Sequence, residues 1–69
     1  MYDIYRQTIG QILKTKRIAA GLTQQQLADK AGLSKSMVTK IEADKNSTVE
    51  SINKYCRALN LELDIPRRF

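Results

Sequence analysis

Apolar residues recur at intervals of three and four along much of this chain, the spacing that places side chains on one face of an α-helix. The first apolar stripe comprises Tyr5, Ile9, Ile12 and Leu13. Asp3 precedes the stripe and can cap a helix, and Gly21 follows it and is suited to a helix end. We therefore expect a first helix that begins near Asp3, ends at Ala20 and buries the whole stripe.

Two shorter helices are predicted on either side of Gly32, which suits a turn that requires a positive φ. Thr23 can cap the second helix, since Gln26 three residues later completes a capping-box pattern. Ser34 can cap the third helix. Local signals alone therefore predict two helices joined by a short turn.

These two helices each have one core face and one polar face. The predicted inward residues are Leu27, Ala28, Ala31, Leu33, Val38 and Ile41. The predicted outward residues are Gln24, Gln25, Lys35, Ser36, Thr39 and Lys40. We expect the second helix to end at about Ala31 and the third near Glu42 or Ala43. Ala28 is expected where two helices cross, a position with no room for a larger side chain.

A fourth helix is predicted after the polar run 44–47, with Ser47 or Thr48 as its N-cap. Its apolar stripe comprises Val49, Ile52, Cys56 and Leu59. This helix is expected to end near Asn60. Residues 1–60 thus predict one all-α bundle.

The pattern changes after Asn60, where Leu61, Leu63 and Ile65 alternate with acidic residues. A period of two predicts a short β-strand, which Pro66 ends. An otherwise helical chain offers this strand no partner. Two interpretations stay open: a tail that folds its leucines back on the helices, or a strand that pairs with its own copy across a two-fold axis. We treat residues 61–69 as the dimerisation element and expect a homodimer.

Length and charge limit the class of protein. A chain of 69 residues forms one domain with a thin margin of stability. Its net charge of +5 favours a polyanionic partner, most commonly nucleic acid. No apolar run approaches the roughly 18 residues that cross a bilayer, and the N-terminal residues lack a signal-peptide apolar region. We expect a cytoplasmic, nucleoid-associated protein with no membrane partner.

The residue types argue against catalysis. There is no histidine, and the single Cys56 excludes an internal disulfide and a Cys/His metal site. Cys56 is expected to be a small core residue. The seven acidic residues form no paired or metal-ligand arrangement, and the three glycines form no phosphate loop. We expect no enzyme activity, no cofactor and no metal.

From Ile9 to Leu61 the chain resembles the Cro/repressor-type helix-turn-helix family, also called the XRE family, of phage repressors, restriction-modification controllers and antitoxins. The resemblance is carried by Ile9, Ile12 and Leu13, by the segment KTKRIAAGLTQQQLADKAGLS, by Val38, Ile41 and Glu42, and by the stripe from Ile52 to Leu59. It implies a lambda-repressor-like bundle of four to five helices that binds double-stranded operator DNA as a dimer. An ordinary αα-hairpin is the alternative.

The resemblance also implies roles for individual residues. Residues 34–42 would form the recognition helix, with four candidates for base contacts: Lys35, Ser36, Thr39 and Lys40. Phosphate contacts are implied for Gln24, with Thr23 beside it at the helix N-terminus, and for the loop residues Lys45, Asn46 and Ser47. The alternative that Lys35 and Lys40 contact only phosphates stays open.

The resemblance further implies a structural ion pair between Arg17 and Glu42, which is physically reasonable because partly buried charges are tolerated when they meet at two points. Two independent exposed charges are the alternative. Two departures from the family stand out: Asp44 replaces a common glycine, and Thr48 replaces a common proline.

The C-terminal LELDIPRRF resembles HipB-type antitoxins, in which a short strand pairs between subunits. Together these features predict a dimeric repressor that acts on a palindromic operator, and they favour the antitoxin of a toxin-antitoxin operon that regulates itself. The alternative is a protein-binding module whose main activity is to neutralise a partner toxin.

Overall fold

The computed structural model describes residues 8–60, which form four α-helices. The helices are α1 (Ile9–Ala19), α2 (Gln24–Ala31), α3 (Lys35–Glu42) and α4 (Val49–Ala58). In this part of the chain the all-α prediction is confirmed, and there is no strand. Asp3, Tyr5 and the predicted strand over 61–65 lie outside the described residues. None of the helices between residues 8 and 60 has the length and apolar character needed to cross a bilayer.

A side-chain hydroxyl caps the start of each of these helices. The N-caps are Thr8, Thr23, Ser34 and Thr48, and each accepts a hydrogen bond from the backbone N–H three residues later. The last three were predicted. Thr8 is extended, with φ −81° and ψ 165°, so α1 begins at Ile9 and the prediction of a helix running on from Asp3 is wrong. The capping box that Thr8 forms with Gln11 outweighs the apolar stripe.

The core lies where α2 crosses α3 and α4. Its buried members are Leu13, Leu27, Ala28, Val38, Ile41, Tyr55, Cys56 and Ala58. Ala28 is fully buried, as expected for a helix crossing. Gly32 has the predicted positive φ, at 74°, and turns the chain from α2 into α3. Burial raises the pKa of the Cys56 thiol, consistent with a core cysteine.

Three residues that were predicted to be buried are exposed instead. Ile9 is 50% exposed, Ile12 38% and Val49 63%. Ile9 and Val49 are the first residues of their helices and lie at the ends of the buried faces. Ile12 lies about 100° around the helix from the buried Leu13. The buried face of α1 is therefore narrower than its apolar stripe.

Gly10 allows the start of α1 to approach the end of α3. A Cβ atom here would collide with the backbone oxygen of Ile41 and lie 2.8 Å from that of Glu42. The Gly10 N–H donates to the Asp44 carboxylate at 3.0 Å, and the Thr8 hydroxyl donates to the other oxygen of that carboxylate. Asp44, just after α3, therefore acts as an additional cap for α1.

We predict that Gly10→Ala destabilises the protein by about 1 to 3 kcal/mol in urea unfolding, because the clash involves backbone atoms. Elsewhere in a helix the same change would stabilise by about 1 kcal/mol. Thr15→Ala, on the exposed side of α1, is the control and should not destabilise the protein, because alanine is the better helix former. A Gly10→Ala variant as stable as the wild type would show that the two helix ends do not approach this closely.

Candidate nucleic-acid interface

Four polar side chains form what we call the outer face of α3. They are Lys35, Ser36, Thr39 and Lys40, and all four are exposed. Val38 and Ile41 on the opposite side of the helix are buried in the core. These two apolar anchors fix the rotation of α3, so the four predicted base-contact residues share one surface.

The Thr39 hydroxyl already has a partner within the protein. Its Oγ1 lies 3.0 Å from the carbonyl oxygen of Lys35 and 3.4 Å from Oε1 of Gln24. A hydroxyl carries one proton, which goes to the nearer acceptor, the Lys35 carbonyl. The lone pairs and the methyl group of Thr39 remain available for other contacts.

Gln24, the first residue of α2, lies beside the outer face and is half-buried. Its Nε2 donates to Oε1 of Glu42 at 3.1 Å. In the reverse orientation the amide oxygen of Gln24 would face the carboxylate and be repelled by it. The amide nitrogen therefore faces Glu42. Since an amide nitrogen carries two N–H donors, one remains for an external acceptor. Thr23 is exposed next to it, with its side chain accepting from the Gln26 backbone N–H.

Glu42 is buried, 8% exposed, and its carboxylate receives hydrogen bonds from three other helices. Arg17 contacts it at two points: Nε lies 2.6 Å from Oε2 and Nη2 lies 3.2 Å from Oε1. The Tyr55 hydroxyl donates to Oε2 at 2.6 Å. The third Arg17 nitrogen donates to the carbonyl of Leu22 at 2.7 Å. Arg17 and Glu42 therefore form one buried ion pair, and the alternative of two independent exposed charges is wrong.

Glu42 keeps its charge because its donors outweigh its burial. Burial raises the pKa of a carboxyl, but hydrogen bonds from Arg17, Tyr55 and Gln24 hold the pKa of Glu42 below its usual value. The hydrogen bond to Glu42 raises the pKa of Arg17. Burial, together with that carboxylate, raises the pKa of Tyr55. At neutral pH this Glu42 cluster therefore contains a carboxylate, a guanidinium and an uncharged phenol.

The loop after α3 carries the remaining phosphate candidates. Asp44 has φ 58°, a left-handed conformation that aspartate tolerates better than most residues other than glycine. This conformation explains how Asp44 can replace the common glycine. The Lys45 N–H donates to the Lys40 carbonyl at 2.9 Å. Lys45 and Asn46 are exposed, whereas Ser47 is half-buried.

A second group of cations surrounds a shallow groove of about 380 Å³ between α2 and α4. The lining residues are Lys30, Ala31, Lys54, Arg57 and Ala58. No residue of α3 contributes to this groove. Lys30 therefore carries a positive charge away from the outer face and can serve as a control for the lysines of that face. Across residues 8–60, no His, Cys, Asp or Glu side chains are grouped so that they could hold a metal ion.

The sequence patterns did not predict the contacts of three residues in this region: Tyr55, Asp44 and Gly10. Tyr55 fits the apolar stripe of α4 as well as its neighbour Cys56 does, since it lies three residues after Ile52. A polar residue at the usual glycine position was a signal for the left-handed Asp44. Gly10 carried a weaker signal, a glycine inside a predicted helix.

We predict that Glu42→Gln removes part of the acid dependence of stability. Because folding lowers the pKa of Glu42, its contribution is present above its unfolded pKa and is lost as pH falls through the lower folded pKa. Urea midpoints measured from pH 7 to pH 2 should fall more steeply for the wild type than for this variant. Asp29→Asn, which removes an exposed carboxylate on α2, should keep the steep wild-type fall. Parallel curves for wild type and Glu42→Gln would contradict the prediction.

Most of the chain matches a known protein family. A helix-turn-helix family model matches residues 13–65, which is most of the chain and includes α2, the turn at Gly32, α3 and α4. No curated protein matches the chain. The match covers the helix pair whose turn, caps and buried anchors are described above. The chain therefore belongs to the XRE-type helix-turn-helix family.

Proposed function

We propose that this protein is a sequence-specific transcriptional repressor that binds a palindromic operator as a homodimer. Membership in the XRE-type family indicates a DNA-binding transcription regulator. The observation that carries the finer proposal is the exposed outer face of α3, held in a fixed rotation by buried Val38 and Ile41. Repression would act by occlusion, which requires no effector-binding domain.

In this proposal α3 enters the major groove and its outer face contacts base edges. Lys35 and Lys40 can donate to the O6 and N7 atoms of guanine, and the Ser36 hydroxyl can serve several bases. Lys35 and Ser36 occupy the first turn of α3, the end that recognition helices direct at base edges. Thr39, one turn later, lies beside them.

Phosphate contacts would flank this helix. The first backbone N–H groups of α2 have no acceptor inside the helix, and the positive end of its dipole favours an anion. Gln24 has one free amide N–H at this end and Thr23 is exposed there. On the other side, Lys45 and Asn46 extend from the exposed loop, and Ser47 is the less accessible candidate.

The dimer follows from the proposed operator geometry. Two half-sites on one face of B-DNA lie about 34 Å apart, so two copies of α3 need a fixed separation. We propose that residues 61–65 pair with those of a second copy, since their alternating pattern supplies one apolar face. The operator would then share the two-fold symmetry of the protein.

We extend the proposal to a toxin-antitoxin operon that the protein itself regulates, as its cytoplasmic, nucleoid-bound antitoxin. The support is the resemblance of the C-terminal segment to strand-paired antitoxins. Sequencing the adjacent gene tests this extension, because a toxin reading frame should lie beside it. We also propose that the protein is not an enzyme, on the ground that the chain has no histidine and only one, buried, cysteine.

We predict that Lys40→Ala weakens binding to a DNA fragment selected with the wild type, whereas Lys30→Ala leaves affinity within about twofold. Both changes remove one positive charge, but only Lys40 lies on the outer face. Fluorescence anisotropy across a salt series measures the result. A lysine that contacts a phosphate contributes about 0.9 to the log–log salt slope for each subunit of the dimer, while one that reads a base changes the selected sequence profile. Equal losses from both variants, or no DNA binding by the wild type, would contradict the proposal.

We predict that Leu63→Asp in the full-length chain converts the dimer to a monomer at micromolar concentration in analytical ultracentrifugation. A charge on the apolar face of the paired strands would have to be buried together with that face. Glu62→Gln changes the opposite face and should remain dimeric. The monomeric variant should also bind DNA far more weakly, because one helix-turn-helix reads one half-site. A dimeric Leu63→Asp protein would place the dimer contact elsewhere.

A further inference from the structure

Tyr55 is the largest fully buried side chain in the described residues, yet it ends in a hydroxyl. Its oxygen lies 2.6 Å from Oε2 of Glu42 and 3.1 Å from the carbonyl oxygen of Leu13. The phenol has one proton to donate. The carboxylate is the stronger acceptor at the shorter distance, so Tyr55 donates to Glu42.

The two oxygens of Glu42 have different partners. Oε2 accepts from Tyr55 and from Nε of Arg17. Oε1 accepts from Nη2 of Arg17 and from the amide of Gln24. The bond from Tyr55 therefore acts with the two-point contact of Arg17 to fix the plane of the carboxylate and, with it, the place of the oxygen that holds Gln24.

Packing alone does not require this hydroxyl. A phenylalanine would fill nearly the same volume in the core without adding a polar atom that must be satisfied. The hydroxyl of Tyr55 donates to the Glu42 carboxylate, and this carboxylate accepts from the Gln24 amide at the start of α2. The hydroxyl is therefore linked to Gln24 through one carboxylate.

We propose that Tyr55 is a positioning residue for DNA binding. Its hydroxyl orients Glu42, Glu42 fixes the amide of Gln24, and the remaining N–H of that amide meets a DNA phosphate. This inference rests on the proposed function, in which Gln24 contacts a phosphate. It adds a residue of the core, more than one contact removed from the DNA, to the determinants of affinity.

A double-mutant cycle tests the proposal. DNA affinity is measured for the wild type, Tyr55→Phe, Gln24→Ala and the double variant on one selected fragment, at a temperature where circular dichroism shows all four folded. Tyr55→Phe should weaken binding by about threefold to tenfold in the wild-type background and should have no further effect when Gln24 is alanine. An equal loss in both backgrounds, or no loss in either, would overturn the proposal.

Cys56→Ala provides the matched control, since it also alters a buried side chain of α4 but does not contact Glu42. It should leave DNA affinity unchanged. In the free protein, the side-chain N–H₂ signals of Gln24 should move in Tyr55→Phe and stay in place in Cys56→Ala. Unchanged Gln24 signals in folded Tyr55→Phe would overturn the positioning role, and loss of the folded state in that variant would show instead that the hydroxyl acts on the fold.

Different results would overturn the proposed function and the proposed role of Tyr55. If the wild type bound no DNA, the proposed function would fail whatever the variants did, and this inference would fall with it. If the wild type bound DNA and the cycle were additive, the proposed function would stand and the role of Tyr55 alone would be wrong.

Discussion

The buried carboxylate of Glu42 is the constraint on which the arrangement of the four helices depends. Removing a carboxylate from water is costly unless donors replace the lost hydration. Here the donors come from α1, α2 and α4: Arg17, Gln24 and Tyr55. A shift of any one helix would leave part of the charge unsatisfied. The carboxylate thus favours one packing of the helices over others in which an apolar core alone would permit sliding.

A second polar contact also attaches α1 to the end of α3, at the other end of α1. Asp44 accepts from the backbone of Gly10, and the missing side chain of that glycine lets the two helix ends meet. Arg17 and Gly10 lie about two turns apart on α1, so the helix is attached to the end of α3 along most of its length. The α3 helix is held by polar contacts at its end and by apolar contacts along its inner face.

The parts of the fold that could be predicted from sequence are those with local causes. The caps Thr23, Gly32 and Ser34 lie directly beside the ends of α2 and α3 that they determine. The predictions of these two helices are confirmed. The start of α1 was misplaced because an apolar stripe was given more weight than the cap at Thr8. The contacts of Glu42 with Gln24 and Tyr55 join residues far apart in the chain, so no local pattern reveals them. Only the pairing with Arg17 was anticipated, and it came from resemblance.

If Thr39 faces base edges as proposed, its hydrogen bond to the Lys35 carbonyl limits what it can recognise. With its proton committed to the backbone, the hydroxyl can only accept. In a major groove, the groups that donate are the exocyclic amines of adenine and cytosine, while the threonine methyl suits the methyl group of thymine. The acceptor-only edge of guanine would face lone pairs and be disfavoured. A backbone contact inside one helical turn would in this way disfavour guanine at the position that the proposed contact of Thr39 reads.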